Sequence, residues 1–121
     1  MSLALPGAAF AADSPSPFDA CMNSARSTPE FTSCSQAEMA RQDKLLNDVW
    51  HRVSDKMKSN DMNSFDLLLN EQRKWIQWKD ASCLYYMENF GSEGRSIQYP
   101  MCLIRILKDR VAYLTELADE Q

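Results

Sequence analysis

The chain has 121 residues, one domain of ordinary size with room for a modest core. Apolar residues make up 45%, which excludes a disordered chain, and only 3 Gly and 5 Pro leave little punctuation for a multi-stranded sheet. The formal net charge is −4, so a nucleic-acid partner is not expected.

Met1 to Ala12 is apolar and too short to span a membrane. Ala9-Phe10-Ala11 followed by Ala12-Asp13 resembles a signal-peptidase site. Residues 1–17 therefore read as the tail of an export signal behind a new start Met, followed by a Ser/Pro linker over Asp13 to Pro17. The other reading is a merely apolar N-terminus. No Leu-x-x-Cys pattern precedes Cys21, so no lipid anchor is expected there. Residues 18–121 read as a single helical domain.

Phe18 to Ser27 is expected as a short helix, broken by Thr28-Pro29 because the residue before a proline avoids the α region. Ser33-Cys34-Ser35-Gln36 has capping-box spacing and is expected to open the second helix. Met39, Leu46, Val49, Trp50, Val53 and Met57 then recur at three- and four-residue steps, with Arg41, Lys44, Asp48, Arg52 and Asp55 opposite. Ser59-Asn60-Asp61 is a polar break.

A third helix is expected from near Asn63-Ser64 to about Asn89. Its stripe is Phe65, Leu68, Leu69, Gln72, Trp75, Ile76, Lys79, Cys83 and Tyr86, with Trp75 and Ile76 assigned to the core. Gln72 needs a partner if buried, whereas Lys79 can snorkel. Asn89 to Gly94 reads as a loop that extends to about Tyr99-Pro100. The last helix starts near Pro100, with a stripe of Leu103, Ile106, Leu107, Arg110, Leu114 and Leu117. Arg110 needs a carboxylate, for which Asp80 and Asp43 are the candidates. The acids between Glu116 and Gln121 oppose the helix dipole, so fraying is expected there.

Cys21, Cys34, Cys83 and Cys102 form two local, well-separated pairs. Neither pair has zinc spacing and His51 is the single histidine, so no metal site is expected. Two disulfides imply an oxidising compartment, hence a periplasmic or secreted protein. Four cysteines allow three pairings; the local one, Cys21–Cys34 and Cys83–Cys102, is expected, and four buried free thiols are the other reading. Each bridge would contribute about 3 kcal/mol in the chain-entropy model. The expected fold is all-α: a compact antiparallel bundle of three main helices plus a short N-terminal helix, stapled by two disulfides.

Nothing in the pattern marks a catalytic centre. His51 falls off the apolar stripe of its helix, and no nucleophile elbow, P-loop or H-E-x-x-H motif occurs. The expectation is no enzyme, no cofactor and no membrane insertion. The tryptophans and cations of Glu71 to Cys83 could serve as a nucleic-acid platform, but the acidic balance argues against it.

The residues that carry a resemblance run the length of the chain. They are Cys21, Ala25 and Cys34; Asp43, Leu46, Asn47 and an aromatic at Trp50; Leu69, Gln72-Arg73, Trp75, Asp80 and Cys83; then Cys102, Arg110 and Leu114. In these, over roughly Phe18 to Leu117, the chain resembles the LprI-type lysozyme-inhibitor N-terminal domain, a family of small exported bacterial proteins. It departs from the family pattern at Lys79, usually Arg, at Trp50, usually Tyr, and at Leu107, often Thr. Lys for Arg weakens a bidentate contact.

The resemblance implies export, a helical fold and, in some members, inhibition of lysozyme. A protein partner is expected, a basic lysozyme whose charge an acidic chain complements. Gln72, Arg73, Asp80 and Arg110 read as a polar clasp between helices. The segment Met87 to Tyr99, held at its base by a Cys83–Cys102 staple, would present Glu88, Phe90, Glu93, Arg95 and Tyr99 to the partner. An ordinary helix–helix connection is the other reading of that segment. For the whole chain the alternative is a periplasmic structural or envelope-stress protein without lysozyme inhibition. The oligomeric state is not legible.

Overall fold

The computed structural model describes residues 14–121, and all regular structure among them is helical. The expected signal remnant falls mainly on residues 1–13, outside the described residues. Pro17, expected in the linker, instead opens helix α1, Pro17–Ser24. Ser16 caps it by accepting the Asp19 N–H at 3.1 Å, and a proline is tolerated in a first turn whose N–H groups lack partners.

Helix α2, Thr28–Asn60, runs 33 residues, about 50 Å at 1.5 Å per residue. It begins one and a half turns before the expected Ser33. Thr28-Pro29 starts a helix rather than only ending one: Ser27 caps it, accepting the Glu30 N–H at 3.3 Å, and Glu30 reaches back to the Ser27 hydroxyl at 3.1 Å. Ser27-Thr28-Pro29-Glu30 is thus the working capping box. Cys34 consequently lies inside α2, facing α1.

A single residue, Asp61, separates α2 from α3, Met62–Ala81. The third helix stops there, short of Asn89, because Cys83 adopts a left-handed conformation at φ 70°. A shorter helix α4, Leu84–Asn89, follows. The region expected as a loop is helical apart from a bend at Phe90: a single turn α5, Gly91–Glu93, then a π-helical turn Gly94–Gln98, then α6, Tyr99–Glu120. Its two glycines serve other ends. Gly91 supplies a φ of 59°, and Gly94 lets the π turn lie against α4, since a Cβ there would collide with the Tyr86 carbonyl oxygen.

Consecutive long helices run antiparallel, which makes α2 and α6 parallel neighbours. Lys108 meets Glu38 at 3.3 Å and Asp119 meets Arg52 at 3.3 Å, so contacts advance together along both helices. Two apolar clusters form. Val49, Val53, Met57, Leu68, Leu114 and Ala118 fill the end near Asp61, and Phe18, Ala25, Cys34 and Ile104 fill the end where α1 folds back. Between them α2 buries Gln42 and α6 buries Arg110. The disulfides are Cys21–Cys34 and Cys83–Cys102, as expected, and both lie toward the α1 end.

The acidic C-terminus does not fray as expected, since α6 is helical to Glu120. Cations of α2 offset the dipole there: Lys56 donates to the Ala118 carbonyl at 2.9 Å, beside the Arg52–Asp119 pair.

Candidate functional site

Two surfaces combine exposed side chains with defined geometry. The first is the α4 platform. Tyr85, Tyr86 and Phe90 stack on one another, with ring centroids 5.5 to 5.7 Å apart. Such tilted and edge-on contacts suit the ring quadrupoles and hold the cluster in one shape. Tyr85 is nevertheless 63% exposed and Phe90 42%, with Leu84 and Met101 exposed as well. The Cys83–Cys102 bridge fixes the base of this cluster to α6.

The platform includes Phe90 of the expected partner-binding set. Glu88, Glu93 and Arg95 are exposed on the same segment, on helical turns rather than a loop. Tyr99 is separate: half-buried at the start of α6, it lines a small cavity of 150 Å³ with Asp43, Lys79 and Asp80. Sequence reasoning placed Tyr86 on the apolar stripe of the third helix, not on a binding surface, and did not single out Tyr85. The signal was an aromatic pair directly after Cys83-Leu84, with Phe90 four residues after Tyr86, a spacing that joins side chains on a helix.

The second surface is an open groove of 570 Å³ between α2 and α3. Asp43, Leu46, Asn47 and Trp50 line it from α2, at i, i+3, i+4 and i+7. Leu69, Gln72, Arg73 and Ile76 line it from α3 at the same spacing, with Trp75 and Lys79 beside them. Near the Asp61 turn the helices close on Trp50 and Phe65, whose rings are 6.4 Å apart. Trp75 and Ile76 therefore do not form core as expected: Trp75 is half-buried and Ile76 is 41% exposed at the groove.

Behind the groove, Arg110 forms a buried node. Its Nε donates to Gln72 Oε1 at 2.9 Å and its Nη1 to Glu71 at 2.8 Å. Its guanidinium lies between two rings, 5.4 Å from the Trp75 centroid and 5.1 Å from that of Tyr113. The carboxylate of Arg110 is thus Glu71, not Asp80 or Asp43. Glu71, the residue before Gln72, reaches Arg110 on α6, whereas Asp80 is exposed beside Lys79 at 3.7 Å. Of the expected clasp the structure brings Gln72 and Arg110 together; Arg73 is exposed at the groove and Asp80 lies apart.

Among the described residues no group of three or more His, Cys, Asp or Glu side chains could hold a metal ion, and His51 is exposed. A family model described as "Lysozyme inhibitor LprI" matches residues 21–114. No curated protein and no solved structure gives a significant match. Eight of the ten groove residues, from Asp43 to Trp75, are among those on which the sequence resemblance rests.

Proposed function

The chain belongs to the LprI lysozyme-inhibitor family, and from that premise we propose that it is an exported protein-binding module that inhibits a basic lysozyme by laying the α4 platform across the enzyme's cleft. The observation that carries this reading is the cluster of Tyr85, Tyr86 and Phe90 on a disulfide-fixed base, with Tyr85 and Phe90 exposed and Tyr86 half-buried against them. Aromatic anchors dominate protein interfaces, and a pre-organised anchor loses little conformational freedom on binding. Glu88 and Glu93 flank the cluster, and the net charge of −4 steers a cationic partner toward the molecule. The two disulfides fit an oxidising, extracytoplasmic compartment. No helix of the described residues is long and apolar enough to cross a membrane.

A lysozyme turnover assay with purified protein tests the reading. Wild-type protein is expected to inhibit near stoichiometric dose, less at high salt. Replacing Glu88, Phe90 and Glu93 together by alanine should weaken inhibition at least about tenfold, the equivalent of 1.4 kcal/mol. Unchanged inhibition by that variant would remove the platform from the mechanism. No inhibition of several lysozyme types by the wild type would favour a structural or envelope-stress role instead.

A further inference from the structure

We infer that the α2–α3 groove is a second, independent binding site, for a short neutral oligosaccharide. Its volume of 570 Å³ falls in the range of roughly 300–1,000 Å³ usual for small-molecule sites. Its lining alternates between two chemistries. Trp50 and Trp75, both half-buried, offer apolar ring surface that suits the C–H face of a sugar ring, with Lys79 Nζ 5.8 Å from the Trp75 centroid at the margin of the groove. Asn47, Asp43 and Arg73 offer planar groups, each able to meet two adjacent hydroxyls at once, and Gln72 adds its amide nitrogen. Asp43 stands against Arg73, and Lys79 is paired with Asp80 at 3.7 Å, so the lining has little net preference for an ionic ligand. A peptide helix would call for a continuous apolar trough; here the apolar side chains are interrupted by polar ones on both walls.

The site is also supported from behind, as a binding site must be and a chance furrow need not be. Arg110 can only donate, so its 2.9 Å bond to Gln72 turns the amide oxygen inward and leaves the amide nitrogen as the donor at the groove. The same guanidinium lies over the Trp75 ring, 5.4 Å from its centroid, and packs against one of the two aromatic walls. Burying an arginine is costly unless it is paired, and Glu71 supplies the pair from outside the groove. Arg110 is therefore a positioning residue for two groove side chains. The groove adjoins the 150 Å³ cavity that shares Asp43 and Lys79 with it, and Tyr99 stands at that end. From Met39 to Trp50 the lining spans roughly 16 Å of α2 at 1.5 Å per residue, so the ligand extends beyond one sugar ring.

Proton–nitrogen NMR of the intact protein, titrated with chitotetraose and separately with cellotetraose, tests this. The indole N–H signals of Trp50 and Trp75 should shift saturably with at least one of them, while that of Trp78, exposed outside the groove lining, stays in place. Asn47→Ala with Arg73→Ala, both exposed and therefore safe for the fold, should weaken the dissociation constant at least about tenfold. Phe90→Ala should leave the titration unchanged, which separates this site from the platform whatever the inhibition assay shows. Absence of shifts with both sugars at millimolar concentration would overturn the inference. So would loss of the shifts in Phe90→Ala, or shifts of Trp50 and Trp75 produced by an amphipathic helical peptide but by neither sugar.

Discussion

Asp61 ends one long helix and begins the next with no residue between. Its N–H donates to the Met57 carbonyl at 2.7 Å, closing α2, and its carboxylate accepts from the Ser64 hydroxyl at 2.8 Å and the Asn63 N–H at 3.0 Å, opening α3. These bonds, the Ser64 hydroxyl first and the Asn63 N–H second, hold its carboxyl below the ordinary value of 3.8. A depressed folded-state pKa stabilises the fold above the unfolded value, and the stabilisation is lost as pH falls through the folded value. Asp61→Ala should therefore lower Tm at pH 7, and the gap to wild type should close as pH falls below the ordinary carboxylate range. Thermal unfolding followed by circular dichroism between pH 7 and pH 2 checks this; a gap independent of pH would assign the effect to helix propensity alone.

At the scale of elements, α2 and α6 were legible from their apolar repeats, and the local disulfides from cysteine spacing. Boundaries were less so, for physical reasons that differ by site. Proline at Thr28-Pro29 both ends a chain direction and suits a first helical turn, and Glu30 decided between them. Gly91 and Gly94 read as loop residues, but one supplies a left-handed step and the other a close approach between helical turns. Cys83 broke the third helix although no sequence rule places a cysteine at positive φ. The groove was hidden because Trp75 and Ile76 match the phase of a core stripe, and only the spread between α2 and α3 leaves them accessible. The stripe of α6 shows the same problem: Leu117 belongs to it by hydrophobicity, yet Ala118 is the side chain with no exposure, packed against the Val53 cluster. Ala118→Leu should accordingly destabilise by about 1–3 kcal/mol through overpacking. Leu117→Ala, at a half-buried position, should cost less. Urea denaturation of both variants decides whether the phase set by Ala118 is the one that packs.

The molecule as a whole is stabilised unevenly. Toward Asp61, Val53, Leu114 and Ala118 are fully buried and no disulfide is present among the described residues of that cluster. Toward α1 the apolar cluster is smaller, α1 is only 8 residues long, and α4 has no buried residue. An isolated helix of that length is not stable, so α1 depends on Cys21–Cys34 and α4 on Cys83–Cys102. Each bridge contributes about 3 kcal/mol by restricting the unfolded chain, but the consequence of losing it should be local. Reduction should let α1 and the segment Leu84–Gln98 exchange their amide hydrogens quickly, while amides around Val53 and Leu114 stay protected. Hydrogen exchange read by mass spectrometry with and without reductant measures this directly. Uniform loss of protection would mean that the two clusters unfold as one unit. Local loss would carry a functional corollary: because the aromatic platform stands on Cys83–Cys102 and the groove rests on α2, α3 and Arg110, reduction should abolish the proposed lysozyme inhibition before it disturbs the groove.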